Sequence, residues 1–177
     1  MTSTQYHMAG DGGFQPLVAI DMDIGTFGQS WTHCDRLSTY LARMVSHNRT
    51  DSLLYSNLFS SAINELLETV YRTHAEENPS GLFHCSILRN GPVDRIELTI
   101  PCDSDQAEFY RSALVMTNSD DAAEQYRDAL FASGPLDPRI GLLELAVDYA
   151  ARLSVQAEGD GAIRLAADLA LEEEVGQ

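Results

Sequence analysis

The chain has 177 residues, with 11 Lys and Arg against 27 Asp and Glu for a formal charge of −16, and 44% of it is hydrophobic. Such a length fits one domain with its own core, and the apolar share argues against disorder. The charge disfavours nucleic acid, where cationic side chains must replace phosphate counterions, and anionic membrane surfaces; its field also opposes any polyanion unless local donors offset it.

No apolar run approaches the roughly 18–20 residues that span a bilayer. The N-terminus lacks the basic start and apolar stretch of a signal peptide. Cys34, Cys85 and Cys102 are odd in number and widely spaced, so neither a disulfide framework nor a zinc knuckle is expected. A reducing cytoplasm is the expected location.

Residues 1–14, with Gly10, Gly12 and Gly13 and no periodic pattern, read as a flexible tail. Residues 15–24 alternate Leu17, Ala19 and Asp21 against Val18, Ile20, Met22 and Ile24, which predicts a strand with one buried face. A turn at Gly25 leads into a helix starting near Phe27, with Trp31, Cys34, Leu37, Leu41, Met44 and Val45 as its apolar stripe. His33 lies off that stripe and reads as an edge histidine without a ligand role.

Residues 51–74 form the central helix. Leu53, Leu54, Leu58, Ala62, Ile63, Leu66, Leu67 and Val70 recur at three- and four-residue steps, the rhythm of one buried stripe. Its polar side carries Glu65 and Thr69 one turn apart, with Asn64, Glu68 and Arg72 in a second row. A polar loop containing Pro79 and Gly81 ends it. Asn90-Gly91-Pro92 then marks a hairpin, with Phe83, Cys85 and Ile87 on one inner face and Ile96, Leu98 and Ile100 on the other. Arg89, Asp94, Arg95 and Glu97 read as solvated.

Asp103, Ser104 and Asp105 suit the cap of the next helix. Residues 104–132 divide into two helices near 117–120, carrying Phe109, Ala113, Leu114 and Met116, then Ala122, Tyr126, Leu130 and Phe131. A loop with Gly134, Pro135 and Pro138 precedes a helix through Leu142, Leu143, Leu145, Ala146, Tyr149 and Leu153. Two strands, 154–158 and 162–169, close the domain around Gly159-Asp160-Gly161, and Glu172, Glu173 and Glu174 read as a solvated end. The expected fold is an α/β (α+β) two-layer sandwich, a mixed but mostly antiparallel sheet covered on one face by helices. Its expected division is a tail over 1–14, one domain over 15–172 with a helical lid or annex at 104–132, and an acidic tail over 173–177.

No G-x-S-x-G elbow, P-loop or H-E-x-x-H motif occurs, and the five histidines show no ligand spacing. No metal site is expected.

The run Asn64-Glu65-Leu66-Leu67-Glu68-Thr69 resembles the N-box helix of the GHKL (histidine kinase-like ATPase) superfamily. There a Glu acts as base and an Asn four residues on holds Mg²⁺ against nucleotide phosphates. The resemblance puts Glu65 in the place of the catalytic acid, Thr69 in the place of the Asn, and Arg72 near a basic residue that often follows. Asp103 falls where the family's adenine-binding acid stands, but no glycine follows it, and a helix cap is the competing reading. Arg139-Ile140-Gly141-Leu142-Leu143 resembles the end of the family's glycine loop, with Arg139 in place of a glycine and Gly141 retained. The order of elements is similar to the Bergerat-type GHKL domain from Leu17 to Leu171.

Within that superfamily the chain resembles small bacterial regulators, the anti-sigma-factor serine kinases of partner-switching systems and the SiaB-type kinases. The eroded motifs imply a signalling regulator acting by protein–protein contact, with nucleotide binding weakened or lost. No cofactor is expected, and any ATP binding is expected to be weak or Mg-independent. The implied partner is a STAS-like or SiaC-like regulator, not nucleic acid or membrane, and a homodimer stays open. Two alternatives stand beside this reading: an active ATP-dependent serine/threonine kinase with Glu65 as base, and a structural oligomeric module.

Overall fold

The computed structural model describes residues 13–74, 80–159 and 161–171. His7, most of the expected N-terminal tail, residues 76–79 of the polar loop, Asp160, Glu172, Glu173, Glu174 and the acidic tail lie outside them. Strand β1 spans Gln15–Asp23, β2 Leu82–Asn90, β3 Val93–Pro101, β4 Arg152–Ala157 and β5 Ala162–Leu169. They form one sheet in the order β1-β2-β3-β5-β4. The four pairings are antiparallel, so the sheet is not mixed among the described residues.

Gly91 takes a φ of 57°, a left-handed conformation that costs a glycine little, and this closes the β2–β3 hairpin as the sequence requires. Ile87 consequently stands opposite Ile96 and Cys85 opposite Leu98 on the inner face. Phe83, Ile100, Ile163, Leu165 and Ala167 continue that face, all buried.

The helices lie on this one face. Helix α1 (Ile24–Phe27) is a single turn begun by Asp23, whose Oδ1 accepts the Thr26 amide at 2.7 Å. That cap ends β1 one residue before Ile24, which the alternation had assigned to the strand. Helix α2 is Thr32–Ser46, α3 Ser52–His74, α4 Ser104–Thr117, α5 Ala122–Phe131 and α6 Ile140–Val147. Helix α2 therefore starts later than its expected beginning at Phe27, and Trp31 and Met44 of its expected stripe are exposed.

In α3 the buried stripe is Tyr55, Phe59, Ala62, Ile63, Leu66, Leu67 and Val70, while Leu53 and Leu54 point out. The aromatic pair, with ring centroids 5.8 Å apart, takes the place expected for the early leucines. Leu153 belongs to β4 rather than to α6.

Helix α4 belongs to the main core through Tyr110, Ala113 and Leu114. Helix α5 joins α6 in a satellite cluster of Ala122, Tyr126, Ile140 and Leu143, and Leu130 and Phe131 are exposed. The expected annex is thus divided between the core and its edge.

Asp94 is almost fully buried and accepts Arg89 Nε and Nη2 at 2.6 and 2.8 Å. Arg95 makes a similar fork to Asp168 at 2.6 and 2.9 Å. Neither pair is the solvated strand end expected, because cross-strand neighbours supply the opposite charge.

His74 fixes the end of α3 to the end of β3. Its Nδ1 lies 2.9 Å from the Val70 carbonyl oxygen and its Nε2 2.8 Å from that of Pro101. The ring is fully buried. His74→Ala should lower the unfolding free energy in urea by about 2–4 kcal/mol, since it opens a void and leaves the Pro101 carbonyl without its partner. Leu53→Ala, on an exposed turn, should change it by less than about 0.5 kcal/mol.

Candidate functional site

Helix α6 has room to lie against α3 because residue 141 is a glycine. A Cβ there would stand 3.0 Å from the Glu65 carbonyl oxygen, from Glu65 Oε2 and from Thr69 Oγ1. The first of these atoms is backbone and cannot swing away. Gly141, Glu65 and Thr69 therefore meet at the α3–α6 contact. Thr69 is fully buried, and its hydroxyl donates to the Glu65 carbonyl at 2.8 Å. Gly141 is buried as well.

Glu65 is half-buried, and its carboxyl is pushed up to about 7. Burial is the main cause; the Glu144 and Glu68 carboxylates raise it further, and Arg72 offsets part. The Glu144 carboxyl is also raised, first by burial and then by Asp148 and Glu68. Tyr126 donates to Asp148 Oδ2 at 3.2 Å, and its phenol is held neutral by burial and by the Glu144 and Asp148 charges. Tyr149 is raised by burial and by the same acids, offset by its bond to Ser61.

The second polar row of α3 is a chain of charge-assisted bonds. Asn64 Nδ2 donates to Glu68 Oε1 and Arg72 Nη2 to Glu68 Oε2, each at 2.6 Å. Glu68 is 7% exposed, so this pairing satisfies a carboxylate that burial would otherwise penalise. Asn64 Oδ1 and Arg72 Nη1 are buried without a protein partner. Cys34 of α2 lies beside this row, its thiol pushed up to about 12 by burial and by Glu68.

The remaining expected site residues lie apart. Arg139 grips Asp137 through its backbone amide, Nε and Nη2 at 2.7–2.9 Å, and Nη1 approaches Met116 Sδ at 2.9 Å. Asp103 is the N-cap of α4: its Oδ1 accepts the Gln106 amide at 2.8 Å, and Gln106 Oε1 accepts the Asp103 amide at 2.9 Å. Gln106 Nε2 reaches the Thr73 carbonyl, so Asp103 sits near the far end of α3. Thr73 and Glu65 are about 12 Å apart along the helix.

The sequence reading missed Glu144 and Tyr149 as neighbours of Glu65, and Asp148 and Tyr126 as neighbours of Glu144. The signal was present: Glu144 is the one charged residue within the otherwise apolar Ile140–Val147, with Asp148 one turn on. Neither of two grooves on the surface, ≈ 190 and ≈ 480 Å³ in volume, is lined by Glu65, Thr69 or Gly141. Among the described residues no helix is long and apolar enough to cross a membrane, and no group of three potential metal ligands occurs.

No family model and no curated protein matches this chain. Among solved structures, a chain in the crystal structure of the SiaB–SiaC complex from Pseudomonas aeruginosa is similar in fold, with a TM-score of 0.62 at 17% sequence identity. The likeness covers 87% of this chain and 89% of that one. The two share an architecture, a helix layer on one antiparallel sheet, across most of their lengths.

Two outcomes follow from the contact. Gly141→Ala should destabilise the protein by about 1–3 kcal/mol through overpacking, more than the helix propensity that alanine gains, as read by thermal unfolding. Thr69→Asn should behave likewise, since the position is enclosed and not the open edge that would accept an amide. The raised Glu65 carboxyl means that the folded state holds this proton more tightly than the unfolded state. Its stability contribution is therefore fully present below about pH 4.5 and is lost as pH rises to about 7. Glu65→Gln should raise the melting temperature more at pH 8 than at pH 5; an equal change at both would contradict the assignment.

Proposed function

We propose that this chain is a signalling regulator that works by binding another protein, on a histidine kinase-like ATPase scaffold whose nucleotide site is weakened or lost. The observation that carries this reading is the closure of the α3–α6 contact. The hydroxyl of Thr69, which the resemblance places at the metal-binding position, is spent on the Glu65 carbonyl, and Gly141 is packed against the same turn. Beside them the Glu65 and Glu144 carboxyls are raised, first by burial and then by the neighbouring acids. Phosphates need converging N–H donors and cations. Here Arg72 is held by Glu68 and Arg139 by Asp137. Both arginines being engaged by acids supports the reading that a triphosphate is held weakly or not at all.

The shared fold with a chain of the SiaB–SiaC complex supports a protein partner, since that structure contains two proteins in contact. A partner-switching role, with a small regulator of SiaC or STAS type as the bound protein, is the form of this proposal that the resemblance favours.

One observation favours the second reading, an active serine/threonine kinase. A carboxyl poised near 7 suits a general base at neutral pH. Calorimetry of the full chain with ATP, with and without Mg²⁺, separates the two. The regulator reading expects no binding tighter than roughly millimolar and no dependence on Mg²⁺. Micromolar Mg²⁺-dependent binding would instead support the kinase.

A further inference from the structure

Hydroxyls inside a helix commonly bond back to a carbonyl three or four residues earlier. Ser38, Thr69, Thr73, Ser112 and Thr117 do so here, at 2.8–3.1 Å. Thr39 of α2 and Ser52, Ser56 and Ser60 of α3 do not: among the described residues their side chains make no hydrogen bond. All four line one groove of ≈ 480 Å³ bounded by α2 and α3. The three serines stand four apart and form one row along α3. Asn57 lies beside that row with its amide equally unspent, and Leu53 is the one apolar lining residue.

From α2 the groove receives Arg43 and His47, also four apart and both exposed. Ser46 lines it beside them at 4% exposure, and its hydroxyl has the Arg43 carbonyl at 3.5 Å, the outer limit of a hydrogen bond. In a chain with 27 Asp and Glu, no residue lining this groove is acidic. Hydroxyls, an amide, an imidazole and a guanidinium can all donate hydrogen bonds, and no carboxylate stands among them to repel an anion. Helix α2 ends at Ser46 and α3 begins at Ser52, both on the groove, so the two helix dipoles offset there and selection rests on the side chains.

We infer that this groove is a binding site for a small organic phosphate monoester. Arg43 and His47 take the phosphoryl oxygens, and the serine row with Asn57 takes the hydroxyls of the ligand body. The groove is larger than a bare phosphate needs and falls within the about 300–1,000 Å³ of small-ligand clefts. One guanidinium suits a monoester rather than a triphosphate with its metal. An exposed arginine by itself marks nothing here: Arg36, Arg127 and Arg152 also lack an ion pair among the described residues, and none of them lines this groove. The charge of −16 opposes any anion, but charges beyond about 8 Å are screened at physiological salt. The groove shares no residue with the Glu65–Gly141 contact, so the site stands apart from the protein-contact reading above.

The test titrates the ¹⁵N-labelled full chain with glycerol 3-phosphate, ribose 5-phosphate and glucose 6-phosphate, with ribose and sulfate as comparisons. At least one of the three esters should shift amides within residues 39–60 saturably, and about tenfold more tightly than ribose or sulfate. Arg43→Gln should weaken that ester about tenfold, whereas Arg127→Gln, which removes the same charge from α5, should leave it unchanged. Neither arginine holds an ion pair among the described residues, so both variants should melt with the unmodified chain. The triple variant Ser52→Ala/Ser56→Ala/Ser60→Ala should also weaken the ester about tenfold without a lower melting temperature, since alanine favours a helix. The site is ruled out if none of the three esters shifts residues 39–60, or if the triple variant binds as the unmodified chain does. Sulfate binding as tightly as the ester would make it an adventitious anion site only, and ribose binding as tightly would make the phosphoryl group irrelevant. Equal weakening by Arg43→Gln and Arg127→Gln would reduce the effect to overall charge and overturn the assignment as well.

Discussion

The close approach of α6 to α3 at Gly141 is the constraint on which the rest of the helix layer depends. A glycine in a helix costs roughly 1 kcal/mol relative to alanine, yet here any side chain would meet the backbone of Glu65. Because the helices come this near, Thr69 must be small and internally bonded, and the carboxylates of Glu65 and Glu144 must share a partly desolvated space. The raised carboxyls follow from packing, not from any separate device. Beyond α6, the satellite cluster with Tyr126 holds α5 against the outer side of the same helix.

The charges of the molecule are arranged accordingly. Buried acids are each given a donor: Glu68 has Asn64 and Arg72, and Asp94 has Arg89. The arginines so used are unavailable to an incoming anion near α6. Among the described residues Arg36 and Arg43 on α2, Arg127 on α5 and Arg152 on β4 join no ion pair, and all four are exposed. A molecule organised this way meets its surroundings through helix surfaces better than through a phosphate cradle, which is the physical content of the regulator proposal.

What could be read from the sequence was whatever local chemistry dictates. Asn90-Gly91-Pro92 fixed the hairpin and its register because the turn needs a left-handed residue. The capping of α4 by Asp103 was legible for the same reason, as an acid two steps after a proline with helix formers following. The stripe of α3 was half legible: counting only aliphatic residues selected Leu53 and Leu54, whereas Tyr55 and Phe59 continue the same rhythm one position on. Asp94 was misread as solvated because its partner Arg89 comes from across the hairpin. The meeting of Gly141 with Glu65, and of Glu144 with both, lay beyond periodicity altogether. It depends on how two helices distant in sequence cross, and a lone glycine does not say what it approaches. Leu153 fell on the wrong element because α6 ends at Val147, after which Ala150 takes a φ of 49° and the chain turns into β4.

Glu65 lies half-buried against α6 beside the Glu144 and Glu68 carboxylates. Its side-chain carboxyl ¹³C shift, followed by NMR in the full chain from pH 4 to 9, reports on this directly. A midpoint near 7 is expected, with the Gly141 amide moving at the same midpoint. A midpoint near 4.5, the value of a solvated glutamate, with Gly141 unresponsive, would contradict it.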